Sequence, residues 1–160
     1  LGGGIRSVDS ITEAFDLGIN KIILGTSILH KDFARKVLQR FDPKKIVFGL
    51  DVELKNNIYC LASHGWNEVS DIYIFDFIDE IKPVHVLVTD ISKDGMMTGP
   101  NYDLYSFLKS KFPHLKIIAS GGIRDINDIQ KLISIKIEHA VIGKAIYEEK
   151  IKLMELLNVD

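Results

Sequence analysis

Carboxylates that close apolar runs are the residues best placed to do chemistry in this sequence. Asp51 follows the run Ile46 to Leu50, and Thr89 and Asp90 follow Val84 to Val88. A carboxylate after such a run either stands at the mouth of a buried strand or is costly to bury. The pattern therefore predicts strand ends that present acid–base groups; an N-cap or a plain loop carboxylate is the other use of Asp51. Lys93-Asp94-Gly95 is a turn or the start of a site loop. Met96, Met97, Thr98, Gly99 and Pro100 carry it to a helix beginning near Asn101, and loops of this kind often close over a ligand.

Glycines suggest a second kind of chemistry. Gly3-Gly4 and Gly121-Gly122 form one matched set, and Gly25-Thr26 and Gly143-Lys144 another. Glycine lets backbone N–H groups approach an anion and accepts positive φ, and a helix start adds unpaired donors. A lone glycine pair is equally well a turn, but two matched sets point to two phosphate sites and a ligand phosphorylated at both ends. Trp66, the only tryptophan, sits in a polar stretch with His64, Gly65 and Asn67. Its indole either stacks on a flat ring or fills the core at a helix start, and His64 reads as a solvated loop histidine. The histidines lack any spacing that suggests a metal site. The single cysteine, Cys60, excludes a disulfide framework and a multi-cysteine site.

Short apolar runs alternating with amphipathic ones must position these residues. Strands are predicted at Lys21 to Leu24, Lys45 to Leu50, Val84 to Val88, Lys116 to Ala119 and His139 to Ile142, apolar on both faces like parallel strands covered by helices. Helices are predicted at Val8 to Leu17, His30 to Phe41, Asp71 to Ile81, Tyr102 to Phe112, Ile126 to Ile133 and Lys150 to Leu157. The rhythm is that of right-handed βαβ units in one α/β domain over residues 1–160. Asp51 to Leu61 departs from it, because Lys55-Asn56-Asn57 predicts a β-hairpin extension.

The sequence also repeats. Gly3-Gly4-Ile5-Arg6 recurs as Gly121-Gly122-Ile123-Arg124, and the same offset of 118 residues pairs Ile11 with Ile129, Ile19 with Ile137, Gly25 with Gly143 and Ile28 with Ile146. Shared βα composition explains some matches, but poorly explains glycines at both strand ends at one unbroken offset. A repeat of this length holds four βα units, half of a (βα)8 TIM barrel. Counted back from the last unit, the strands are three to eight, Gly2-Gly3-Gly4 is the tip of strand three, and strands one and two are expected to be missing.

Charge and hydropathy exclude other classes. The net charge is −2 and basic residues are scattered, which argues against a nucleic-acid platform. No membrane-length apolar run and no signal-peptide pattern occur, so a cytoplasmic protein is expected.

Together, Gly-Gly-Gly-Ile-Arg-Ser (2–7), Leu-Asp-Val (50–52), Gly-Trp (65–66), Thr-Asp-Ile-Ser-Lys-Asp-Gly (89–95), Gly-Pro-Asn (99–101), Ala-Ser-Gly-Gly-Ile (119–123) and Val-Ile-Gly-Lys-Ala-Ile-Tyr-Glu (141–148) resemble one family along the whole chain. It is the phosphoribosylformimino-aminoimidazole carboxamide ribotide (ProFAR) isomerases of histidine biosynthesis. The resemblance implies a half-barrel-duplicated (βα)8 enzyme performing an Amadori rearrangement of an aminoaldose to an aminoketose. It implies a substrate with two phosphates, no metal or organic cofactor, and a full-length monomer. Carried over by position, Asp51 is the general acid, Trp66 packs on substrate and Arg6 contacts it. Thr89, Asp90 and Asp94 bind substrate at the strand-six end and its loop. Gly3, Gly4, Gly25, Thr26, Gly121, Gly122, Gly143 and Lys144 hold the phosphates. The family's base is an aspartate ending strand one, which by the repeat falls before residue 1, so these residues alone are expected to be catalytically incomplete. Met96-Met97 departs from the family's small or polar pair. The cyclase subunit of imidazole glycerol phosphate synthase resembles the chain less, since it usually carries Ser-Ile-Asp where Thr89-Asp90-Ile91 stands and lacks the Gly-Trp context. A second, tryptophan-pathway substrate and a non-catalytic phosphate-binding barrel fragment are further readings.

Overall fold

The computed structural model describes residues 1–63, 66, 68–157 and 159, with Glu68 as backbone alone; His64 and Gly65, expected in the tryptophan loop, lie outside the described residues. The fold is α/β with a largely parallel sheet, and the chain divides into two compact units, Leu1–Leu87 and Val88–Asp160. Among the described residues no helix is long and apolar enough to cross a membrane.

The first unit opens with α1 (Val8–Asp16). Extended Ser7 starts it: the Ser7 side chain accepts the Ser10 N–H, and the Ser10 side chain accepts the Ser7 N–H. This reciprocal cap satisfies donors that a helix start otherwise leaves open. β1 (Ile22–Leu24) follows, then α2 (Lys31–Arg40). β2 (Ile46–Lys55) pairs parallel with β1 from Ile22↔Ile46 to Leu24↔Phe48. Ile22, Leu24, Phe48 and Ile28 are fully buried beneath this ladder. β2 does not stop at Leu50 as the apolar run suggests. It continues past Asp51 and pairs antiparallel with β3 (Ile58–Ser63) from Val52↔Leu61 to Lys55↔Ile58. Asn56 and Asn57 take φ of 51° and 61°, the left-handed pair that closes a two-residue hairpin.

The expected helix from Asp71 begins later. Residues up to Tyr73 belong to β4 (Glu68–Tyr73), which pairs antiparallel with β3, and only Ile74–Ile81 forms α3. The Ser70 hydroxyl donates to Leu61 O at 2.7 Å. Cross-strand pairing thus overrides the helical pattern of the first turn, since strand preference is set largely by neighbours. β5 (His85–Asp90) carries the chain into the second unit.

There α4 (Tyr102–Lys111) is capped by Asn101, whose side chain accepts the Leu104 N–H. β6 (Lys116–Ser120) pairs parallel with β7 (His139–Ala140), on either side of α5 (Ile126–Ser134). Tyr105, fully buried, ties α4 to β6: its hydroxyl donates to Ser120 O at 2.9 Å and accepts the Ser120 N–H at 3.1 Å. Burial holds its phenol neutral, pushing its pKa well above the ordinary value. α6 (Lys144–Tyr147) and α7 (Leu153–Leu156) end the described elements. The helix expected over Lys150 to Leu157 is thus one turn. Lys150 and Ile151 turn their N–H groups back to Ala145 O at 2.8 and 3.2 Å and bury Ile151, which spends that stretch on closing α6.

The sequence repeat has a counterpart in local structure. α1 and α5 span the same positions at the offset of 118, capped at Ser7 and Asp125. Their ends match bond for bond: Ile19 N–H reaches Ala14 O at 3.1 Å, and Ile137 N–H reaches Leu132 O at 3.0 Å. Ile23 N–H to Leu1 O and Val141 N–H to Ala119 O are both 2.8 Å. The short 3-10 turn Thr26–Leu29 and α6 also coincide at this offset.

Candidate functional site

The parallel β1–β2 ladder ends at Phe48 and the hairpin ladder begins at Val52, so Asp51 stands where β2 leaves one neighbour for the other. It is half-buried and lines a cleft of about 300 Å³. Gly3, Gly4, Arg6, Gly25 and Thr26 line the same cleft, so six expected site residues meet in the first unit. Trp66 joins them through its indole: Nε1–H donates to Asp51 Oδ2 at 2.9 Å. The indole is 44% exposed, which rules out the core reading of this residue. Gly3 and Gly4 take φ of 93° and 72°, open to glycine at little cost. Ile28 N–H closes the first 3-10 bond to Gly25 O at 3.1 Å, which leaves Thr26 and Ser27 N–H without a partner inside that turn.

The second unit repeats this arrangement with other side chains. Asp94, Gly121, Gly122, Gly143 and Lys144 line a cleft of about 260 Å³. Ile146 N–H bonds Gly143 O at 2.9 Å, as Ile28 does Gly25. Lys144 Nζ donates to Gly95 O at 3.0 Å and so holds the loop that follows β5 at the cleft edge. Glycine is compulsory at 122: φ is +85°, and an added Cβ would sit 2.5 Å from Gly99 O. Gly99 N–H in turn donates to Gly122 O at 2.9 Å.

Thr89 and Asp90 are 5% and 4% exposed and line neither cleft. The Asp90 carboxylate is engaged by its own loop: Ser92 N–H and Oγ donate to Oδ1 at 3.0 and 2.7 Å, and Asn101 Nδ2 donates to Oδ2 at 2.6 Å. It shapes the loop that carries Asp94. Met97, from the loop expected to close over a ligand, and Ser27 also line the clefts, with Gly49 and Ser120, which the residue types did not single out. Ser27 had a signal in its place beside Gly25-Thr26; Gly49 had none, because close approach of β1 to β2 is a tertiary fact.

The second unit also holds a buried carboxylate, Asp128. Burial disfavours ionisation of Asp128, yet hydrogen bonds from Arg124 and Tyr102 outweigh it and hold its pKa below the ordinary value. Burial and the Asp128 charge push the Tyr102 phenol the other way, well above its usual value.

Residues 1–152 match the family described as Histidine biosynthesis protein. The chain belongs to this family. Three relatives illustrate how this histidine-biosynthesis family chain compares. One from Buchnera aphidicola subsp. Schizaphis graminum is 37% identical over 98% of the chain and 66% of its own length. One from Elusimicrobium minutum is 37% identical over 99% and 67%, and one from Bacillus cereus strain Q1 is 39% identical over 99% and 66%. Each of these relatives bears the name 1-(5-phosphoribosyl)-5-((5-phosphoribosylamino)methylideneamino)imidazole-4-carboxamide isomerase. The chain spans about two thirds of their length.

Proposed function

We propose that the whole protein is the ProFAR isomerase of histidine biosynthesis, rearranging an aminoaldose with two phosphates to its aminoketose. The observation that carries this reading is Asp51: a half-buried carboxylate in a cleft with a glycine pair and Arg6, accepting a bond from an exposed indole. Asp51 protonates the ring oxygen and opens the aldose to a Schiff base. Loss of the C2 proton to a second acid–base group then gives the enol, which becomes the ketose. The resemblance assigns that base to an aspartate ending strand one. Arg6, Trp66 and Asp94 hold and cover the substrate. One glycine cleft takes each phosphate, the first through Gly3, Gly4, Gly25 and Thr26, the second through Gly121, Gly122, Gly143 and Lys144. No step calls for a metal or an organic cofactor.

The finer fold reading is a (βα)8 barrel made of two half-barrels. In it β1, β2, β5, β6 and β7 are strands four to eight, with Gly2 at the tip of strand three; the matched caps and turns at the 118-residue offset support it. The test is turnover of the aminoaldose by the whole protein and its Asp51→Asn variant. We expect kcat to fall about a thousandfold while substrate still binds, the loss typical of a removed general acid. Undiminished turnover would refute the role of Asp51. Turnover of the cyclase substrate in place of the aminoaldose would favour the sister activity.

A further inference from the structure

Each copy of the repeat carries an arginine at the same place, Arg6 and Arg124, yet the two side chains are used differently. Four residues on, the first copy has Ser10 and the second Asp128. Asp128 is 2% exposed and takes Arg124 on both oxygens. Arg124 Nε donates to Oδ2 at 2.9 Å and Nη2 to Oδ1 at 2.6 Å, and the Arg124 backbone N–H adds a third bond to Oδ2 at 2.9 Å. Tyr102 Oη donates to Oδ1 at 2.6 Å. Two-point pairing fixes a guanidinium in one plane. It lies against Gly99, where an added Cβ would meet Nη2 at 3.3 Å, and it does not line the second cleft.

Ser10 does nothing comparable, since its hydroxyl donates to Ser7 O at 2.9 Å. Arg6 is exposed, lines the first cleft, and has no hydrogen bond or ion pair among the described residues. The side-chain cation of the second cleft is instead Lys144, whose counterpart at the offset is Thr26. Each cleft thus keeps one cation, drawn from opposite ends of the repeat.

We propose that Asp128 is a positioning residue that withdraws Arg124 from the second glycine cleft, leaving Lys144 as the anion-binding cation there, whereas Ser10 leaves Arg6 to the first cleft. The proposal rests on the reading that each cleft takes a phosphate group. Its test is a titration of the isotope-labelled whole protein with inorganic phosphate. The amides of Gly3 and Gly4 report one cleft and those of Gly121 and Gly122 the other. We expect Arg6→Met to weaken phosphate about tenfold at the first pair, and Lys144→Met about tenfold at the second, the size of one lost charge-assisted bond. Arg124→Met should leave the second pair within about twofold of the unaltered protein, since this arginine makes no bond to the anion there. Asp128→Ser added to Lys144→Met frees Arg124 and should recover most of the lost affinity; adding Arg124→Met to that pair should remove the recovery. Asp128→Asn replaces the serine variant if that fails to fold, because its amide keeps an acceptor for Tyr102. Equal losses from Arg6→Met and Arg124→Met overturn the proposal, as does a folded Asp128 variant that recovers nothing. Silence at both glycine pairs of the unaltered protein overturns instead the phosphate reading beneath it.

Discussion

Two glycines with the same backbone conformation carry different loads. Gly4 has φ +72° with nothing within 4 Å of an added Cβ, whereas Gly122 has φ +85° with Gly99 O at 2.5 Å. Gly4→Ala should therefore cost about 1 kcal/mol, the strain of a left-handed alanine alone. Gly122→Ala should cost about 3 kcal/mol, strain plus a backbone clash. Urea unfolding of both variants checks the difference, and equal midpoints would mean that the Gly99–Gly122 contact is not tight. Trp66 offers a second comparison. Trp66→Phe keeps a ring over the cleft but removes the donor to Asp51 Oδ2. We expect kcat to drop about tenfold with KM nearly unchanged, as for one lost hydrogen bond to a charged group. A rise in KM at constant kcat would mean that the indole only packs on substrate.

Helix starts and tight turns act at the scale of elements. Asp125 accepts the N–H groups of Asn127 and Asp128 at 2.9 and 3.2 Å, so its carboxylate both starts α5 and sets the backbone that carries Asp128. Asp125→Ala should destabilise by about 1 kcal/mol, the usual value of an N-cap, and should loosen the Arg124 pair as well. The hairpin gives the opposite sign. Asn57 has φ 61° at the second turn position, where glycine is favoured. Asn57→Gly should raise the urea midpoint slightly and Asn57→Val should lower it by about 1–2 kcal/mol in stability. These elements were the most legible part of the sequence, because helix starts and turns are decided by neighbours along the chain: Asn101 before α4, Asn56-Asn57 in the hairpin. β4 was not legible, because its first claim on Asp71 to Tyr73 comes from β3, which is distant information for a helical pattern.

Acid stability belongs to the whole molecule. Burial disfavours the Glu138 charge, but Lys109, the Ile117 N–H and Lys116 outweigh it and bring the carboxyl from 4.5 to about 2. Asp128 is lowered in the same sense by Arg124 and Tyr102. A depressed carboxyl contributes stability that is fully present above its unfolded pKa and is lost as pH falls towards its folded pKa. For Glu138 that window runs from 4.5 down to about 2. Both groups lie in Val88–Asp160. Among the described residues of Leu1–Leu87 the lowered carboxyl is Glu80, beside Lys31 and then Arg35, and it is on the surface, where solvent screens the pair. Acid should therefore open the second unit first. Hydrogen exchange between pH 5 and 2.5 checks this, and Glu138→Gln should flatten the loss of urea resistance over the same range. Earlier exchange in the first unit would count against this account.

Apart from β4, the order of strands and helices was determined by the sequence alone, as were the matched glycine pairs and the 118-residue repeat, because each is written in the spacing of nearby residues. So was the choice of Asp51, a charge after a buried run. Tertiary structure alone decided how such residues are spent. It turned Asp90 onto its own loop and placed Asp51 at the junction of two ladders rather than at a strand end. It also separated two identical arginines by what stands four residues on, Ser10 or Asp128. Those outcomes depend on which donors, acceptors and backbones the fold brings within about 3 Å, the reach of a hydrogen bond, and no spacing along the chain records that.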